Sequence, residues 1–139
     1  YDETILVESY IPGREISVGV LDGKALGAIE IVPQKNHFYS YKAKYEEGGS
    51  KHIFPAPISS EKYEEALRLA EKANEVLECE GAIRVDMRLG ENGGFFILEV
   101  NSLPGMTPVS LLPEIARGVG ISFEELCERL VEGARLKIR

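Results

Sequence analysis

Phe95-Phe96-Ile97-Leu98-Glu99-Val100-Asn101-Ser102-Leu103-Pro104-Gly105-Met106-Thr107 reads as an apolar strand that ends in two oxygen-bearing side chains, Glu99 and Asn101. Standing at i and i+2, they point to one face of a strand. The turn Glu91-Asn92-Gly93-Gly94 precedes it, and Asn-Gly is a strong two-residue hairpin signal, so Ala82 to Leu89 becomes the partner strand. With Glu91 paired to Gly94, Asp86 falls opposite Glu99 and Arg84 opposite Asn101, all on one face. Two carboxylates facing each other across strands repel unless a proton or a cation lies between them.

This face has two readings. In one, Arg84 and Arg88 neutralise Asp86 and Glu99 as ordinary cross-strand ion pairs on a solvated surface. In the other, Asp86, Glu99 and the Asn101 amide carbonyl hold a cation. Oxygen donors without His or Cys suit Mg²⁺ or Mn²⁺ better than zinc, with water and phosphate completing the shell. The sequel favours the second reading. Asn101 to Pro108 is a constrained loop leading into a helix over Ser110 to Arg117, and Pro near a helix start with Gly105 in the approach leaves backbone N–H groups to face an anion.

Glu99-Val100-Asn101-Ser102-Leu103-Pro104-Gly105-Met106-Thr107, preceded by Arg84-Val85-Asp86, resembles the carboxy-terminal metal site of the D-alanine–D-alanine ligases, members of the ATP-grasp superfamily. The resemblance covers nearly the whole chain. It implies an α+β fold: an antiparallel sheet with packing helices, the carboxy-terminal subdomain of an ATP-grasp enzyme, as one domain over residues 1–139.

Length and composition agree with a single domain or a piece of one. The chain has 139 residues, 44% hydrophobic and 28% charged, as in ordinary globular domains. It begins at Tyr1 inside a strand-like run, which reads as a fragment of a longer ligase. No apolar run approaches the ~18 residues that span a bilayer. A net charge of −7 with no basic stripe speaks against nucleic acid, but not against a nucleotide carried by divalent cations. Cys79 and Cys127, each in an apolar helical stretch, read as two buried thiols in a reducing compartment, and the expected location is cytoplasmic. His37 and His52 have no ligand-type spacing to another His, Cys or carboxylate.

Along the chain, Ile5 to Tyr10, Arg14 to Leu21 and Lys24 to Val32 read as a three-stranded antiparallel meander, turning at Ile11-Pro12-Gly13 and Asp22-Gly23. From the residues alone, Glu8 and Glu15 are exposed strand-end acids. The resemblance makes this the adenosine-binding segment. The backbone between Glu8 and Ile11, through Tyr10, would meet the adenine edge, Leu98 would pack on the ring and Glu15 would hold the ribose hydroxyls. Extended backbone supplies a donor and an acceptor to a purine, and one carboxylate suits a diol.

Residues 33–57 show no regular period, and their aromatic content favours an ordered functional loop. Phe38-Tyr39-Ser40-Tyr41-Lys42-Ala43-Lys44-Tyr45 is similar to the family's active-site lid, with Ser40 and Lys42 where the family commonly has acids. Carried over, Phe38 belongs to the nucleotide site, Lys44 approaches the transferred phosphate, and Tyr45 helps close the acceptor site. Ser59 to Cys79 reads as a helix capped by Ser60, with Tyr63, Leu67, Ala70, Ala73 and Leu77 as its apolar stripe. The last helix opens on the capping box Ser122-Phe123-Glu124-Glu125 with an Ile121–Leu126 staple, and Phe123, Leu126, Cys127, Leu130 and Val131 as its buried face.

The activity implied by the resemblance is ATP-dependent joining of two D-alanines through an acylphosphate, for peptidoglycan precursors and hence cell wall and cell shape. The implied cofactors are ATP and two Mg²⁺ or Mn²⁺ ions on Asp86, Glu99 and Asn101. Arg84 would clamp the transferred phosphate, the Gly105 N–H would serve as an oxyanion donor, and Ser110 with the Leu111 N–H would take the second D-alanine's carboxylate. The implied partners are ATP, D-alanine and the amino-terminal and central domains of the same enzyme, with room for a homodimer of the intact protein. Neither nucleic acid nor membrane is among them. Two alternatives stay open: an ATP-grasp ligase with another acceptor such as D-lactate, and a nucleotide- or metal-binding module without turnover.

Overall fold

The computed structural model describes residues 3–33 and 50–135. Five antiparallel strands and three helices follow in the order β1 (Gly13–Leu21), β2 (Lys24–Pro33), β3 (Ser50–Ile53), α1 (Ser60–Val76), β4 (Ala82–Gly90), β5 (Phe95–Asn101), α2 (Leu111–Gly118) and α3 (Phe123–Gly133). The sheet order is β3-β2-β1-β4-β5. The α+β architecture expected from the sequence is therefore the one observed.

Alternation along the strands divides the sheet between two layers. Ile16, Val18, Val20, Ala28, Ile83, Val85 and Met87 point to one face and close a core with Ala66 and Ala70 of α1. The other face carries Leu21, Ile29, Ile31 and Ala82, which pack under Leu111, Leu112, Ile115 and Ala116 of α2 and Leu126 of α3. Along β4 and β5 that same face becomes polar, bearing Arg84, Asp86, Arg88, Glu99 and Asn101.

The meander loses its first strand. Residues 3–12 form no strand, and Ile5, Leu6 and Val7 are 80%, 83% and 81% exposed. Both edges of β1 are already hydrogen-bonded, to β2 and to β4, so a third partner has no place in the ladder. The Asp22-Gly23 hairpin forms as read, with φ of +50° and +77° at its two central residues.

The β4–β5 turn is a three-residue loop, Glu91-Asn92-Gly93, not the two-residue turn predicted. Gly90 N donates to Gly94 O at 2.8 Å, Gly93 N donates to Gly90 O at 2.8 Å, and Gly93 takes φ +79°. Pairing near the turn is thus one residue out of the expected register, with Met87 opposite Ile97. A bulge then takes up Leu98, and Asp86 returns to Glu99 and Arg84 to Asn101. The expected site register is correct because these two departures cancel.

Other boundaries shift for local reasons. Part of the long loop is strand β3, whose Glu30–Ile53 and Ile31–His52 pairs extend the sheet edge. His52 is not solitary: its Nδ1 lies 2.7 Å from Glu114 Oε2 on α2. Ser59, not Ser60, caps α1, accepting from Lys62 N. In α1 the buried positions are Ala66, Ala70 and Asn74, while Leu77 lies beyond the last turn and is exposed. In α3 the Ser122 cap forms and Leu126 is buried, but Phe123 and Val131 face outward. Cys79 and Cys127 are free thiols, half-buried, not buried.

Candidate active site

Antiparallel pairing sets Ser17, Asp86 and Glu99 in one row across β1, β4 and β5. Asp86 is the hub. Arg84 Nε and Nη2 donate to its Oδ1 and Oδ2 at 2.8 and 2.7 Å, and the Ser17 hydroxyl donates to Oδ1. Arg84 also lies 3.8 Å from Glu99 Oε1, whose side chain is 58% exposed against 15% for Asp86. Burial pushes the Asp86 carboxyl upward, but the Arg84 guanidinium, the Ser17 hydroxyl and neighbouring Glu99 outweigh it and hold it below the ordinary aspartate value. The face therefore presents one shielded and one open carboxylate with a guanidinium between them.

Asn101 closes the strand. Its Oδ1 accepts from Leu103 N at 3.0 Å, an Asx turn that fixes the amide beside Glu99 and leaves the oxygen's second lone pair. Downstream, Ser110 makes no cap bond to α2. Its Oγ accepts from Thr107 N at 3.0 Å and lies 2.8 Å from Thr107 Oγ1. A Cβ on Gly105 would come within 2.8 Å of that Ser110 oxygen, so a side chain there would displace the hydroxyl from Thr107. The structure thus brings Gly105 and Ser110 together. Leu111 is buried against Ile29, Ile31 and Ile115, and its N–H stands in the first turn, where a helix has no partner of its own to offer.

At the other end of the same face Arg88 meets Tyr10, Ile11 and Glu15, and Glu8 precedes Tyr10 and Ile11 in the irregular segment before β1. Glu8 and Tyr10 are exposed, Ile11 and Glu15 half-buried, and Leu98 is the exposed bulge residue of β5. Phe38, Lys44 and Tyr45 lie outside the described residues. Sequence reasoning missed two contributors. Ser17, fully buried, is the one polar residue in the otherwise apolar stretch Ile16 to Leu21, which is the signal that could have found it. Arg88, given only a neutralising part, instead donates to the backbone at Ile11 and Gly13. Its position two residues beyond Asp86 puts it on the same face.

The donor set fits a hard divalent cation: two carboxylates and an amide oxygen, with no sulfur or imidazole among them. Among the described residues no group of three or more His, Cys, Asp or Glu stands close enough to hold a metal alone. Phosphate and water would have to complete such a shell.

Residues 1–132 match the sequence model of the D-Ala–D-Ala ligase carboxy-terminus. The chain belongs to that family. It is 56% identical over 138 residues to a D-alanine–D-alanine ligase of Citrifermentans bemidjiense, covering 99% of this chain and 45% of the relative. A D-alanine–D-alanine ligase of Geotalea uraniireducens gives the same identity, with 44% of the relative covered. Among solved structures, the D-alanine–D-alanine ligase from Bacillus anthracis complexed with ATP superposes with a TM-score of 0.75 at 34% identity, over 91% of this chain and 41% of that one. The D-Ala:D-Ser ligase VanG from Enterococcus faecalis superposes with a TM-score of 0.74 at 31% identity, over 88% of this chain and 36% of that one. The ligase-family chain thus spans less than half the length of the curated relatives it matches. Among its described residues no helix is long and apolar enough to cross a membrane.

Proposed function

We propose that this chain is the metal- and nucleotide-binding carboxy-terminal part of a cytoplasmic ATP-dependent ligase that joins two D-alanines for peptidoglycan precursors. The observation that carries it is the row Ser17–Asp86–Glu99 with Arg84 beside it, on the face that also bears Glu15 and Arg88. Two acids held together need a positive partner, and Arg84 fills that need until cation and phosphate arrive. Asp86, Glu99 and Asn101 would hold Mg²⁺ or Mn²⁺, which supplies charge neutralisation to the ATP phosphates.

In the first step a carboxylate oxygen of one D-alanine attacks the γ-phosphorus, the bond to the β–γ bridging oxygen breaks, and ADP leaves. In the second, the amine of another D-alanine attacks the acyl carbon, loses a proton, and inorganic phosphate departs with the former carboxylate oxygen. Arg84, freed from Asp86, clamps the transferred phosphate, since its planar fork binds two oxygens at once. The Gly105 N–H faces the developing oxyanion, and Ser110 with the Leu111 N–H holds the acceptor's carboxylate. By the resemblance, Phe38 belongs to the nucleotide site, Lys44 meets the phosphate and Tyr45 the acceptor. The remaining domains supply the first D-alanine's site, and the intact enzyme is compatible with a homodimer.

The test is product analysis of the full-length enzyme with ATP, Mg²⁺ and D-alanine. Phosphate release that depends on D-alanine, with D-alanyl-D-alanine as product, is the expected result; ATP turnover without dipeptide would overturn it. Likeness to a D-Ala:D-Ser ligase favours a second reading in which the acceptor differs. Competition between D-alanine, D-serine and D-lactate for the second position separates the two.

A further inference from the structure

The nucleotide segment is an irregular chain, and one cation on the sheet holds it. Arg88 stands on β4 opposite Glu15 of β1 and Phe96 of β5. Its Nε donates to Ile11 O at 3.1 Å and its Nη2 to Gly13 O at 2.7 Å. The guanidinium carbon lies 5.6 Å from the centre of the Tyr10 ring, and Nη1 lies 3.6 Å from Glu15 Oε2. Only the guanidinium among side chains offers five donors in a planar fork able to serve two carbonyls and a carboxylate together. Gly13 lets the backbone approach: at φ +145° a Cβ there would lie 2.1 Å from Leu89 O.

We propose that Arg88 is the positioning residue of the nucleotide site, holding the backbone that meets adenine and the carboxylate that meets ribose in one rigid unit. The inference rests on the assignment of adenosine to residues 8–15. Gripping Ile11 O on one side and the Tyr10 ring on the other fixes the planar peptide between Tyr10 and Ile11, whose C=O and N–H are the groups an adenine edge would use. The ion pair holds the Glu15 carboxylate beside this backbone, where the adenosine assignment puts the ribose diol. Arg88 stands two residues from Asp86, whose carboxylate is held by Arg84 and Ser17, so loss of Arg88 leaves those contacts intact.

The test uses the full-length enzyme with Arg88→Met, Arg88→Lys and Glu15→Gln, measured with ATP and with 2′-deoxy-ATP. Arg88→Met is expected to raise KM for ATP about tenfold and to bring the preference for ATP over the deoxynucleotide close to one, while kcat and the Mg²⁺ dependence change less than about twofold. Arg88→Lys should restore little, because an ammonium cannot bridge two carbonyls and a carboxylate. A fall in kcat together with the unfolding midpoint, and no KM split, would overturn the proposal in favour of a merely structural arginine. An unchanged nucleotide preference in Arg88→Met with its loss in Glu15→Gln would overturn it while leaving the adenosine site in place. An unchanged preference in Glu15→Gln would remove that site assignment itself.

Discussion

Asp86 of β4 stands directly across from Glu99 of β5, with Arg84 hydrogen-bonded to Asp86 Oδ2 at 2.7 Å and ion-paired with Glu99 Oε1 at 3.8 Å. A single guanidinium therefore occupies the place between two acids that a divalent cation would otherwise neutralise. In the proposed enzyme, cation binding and release of Arg84 toward phosphate would be one event, because each carboxylate needs only one of the two partners.

That coupling predicts the behaviour of Glu99→Gln in the full-length enzyme. Losing one carboxylate leaves Arg84 matched to Asp86 alone and weakens the cation, so transition-state stabilisation should fall by several kcal/mol, on the order of a thousandfold in kcat/KM. Steady-state kinetics over a range of Mg²⁺ checks this. Near-normal kcat at ordinary Mg²⁺ would remove Glu99 from the metal site.

The same pair predicts an acid limb for the metal-free protein. The Asp86 carboxyl titrates below its ordinary value of 3.8, so it releases its proton more readily when folded than when unfolded. Its contribution is then complete above that ordinary value and is lost as pH falls through the lower folded one. In chelator, the stability gap between the parent chain and Asp86→Asn should be constant near neutrality and shrink below about pH 4. Urea unfolding at stepped pH measures it. A gap that widens in acid would mean the pairing with Arg84 does not stabilise the carboxylate.

Completeness is a third expectation. Positioning supplies most of the barrier reduction in phosphoryl transfer, and this chain spans under half of its relatives' length. Purified alone, it should bind ATP weakly and form no dipeptide. Calorimetric titration and a phosphate-release assay read both, and dipeptide formation by the chain alone would show that the active site is assembled here entirely.

Packing beneath α2 gives a fourth. A Cβ on Gly118 would come within 2.3 Å of the Phe54 ring, whereas one on Gly133 meets nothing within 4 Å. Gly118→Ala should cost about 1–3 kcal/mol by overpacking. Gly133→Ala, the helical control, should be neutral or slightly stabilising. Equal unfolding midpoints for the two variants would show that Phe54 moves aside freely.

The sequence by itself determined the elements with strong local signals. The Asp22-Gly23 hairpin, the Ser122 cap, the existence of the helices and the pairing of β4 with β5 follow from turn chemistry and side-chain period, which act within a few residues. Motif residues were also legible within each strand: the pleat puts Arg84 with Asp86 on one face of β4, and Glu99 with Asn101 on one face of β5. Only the tertiary structure decided what fills the space around those elements. Ile5 to Tyr10 has the composition of a strand, but β4 already occupies the edge of β1 that it would need. Leu98 is swallowed by a bulge that no local pattern announces, and that bulge, cancelling a longer turn, puts Asp86 opposite Glu99. Arg88 and Ser17 acquired their roles from strands far apart in the chain, since a side chain's partners depend on which strand lies beside it and not on its neighbours in sequence.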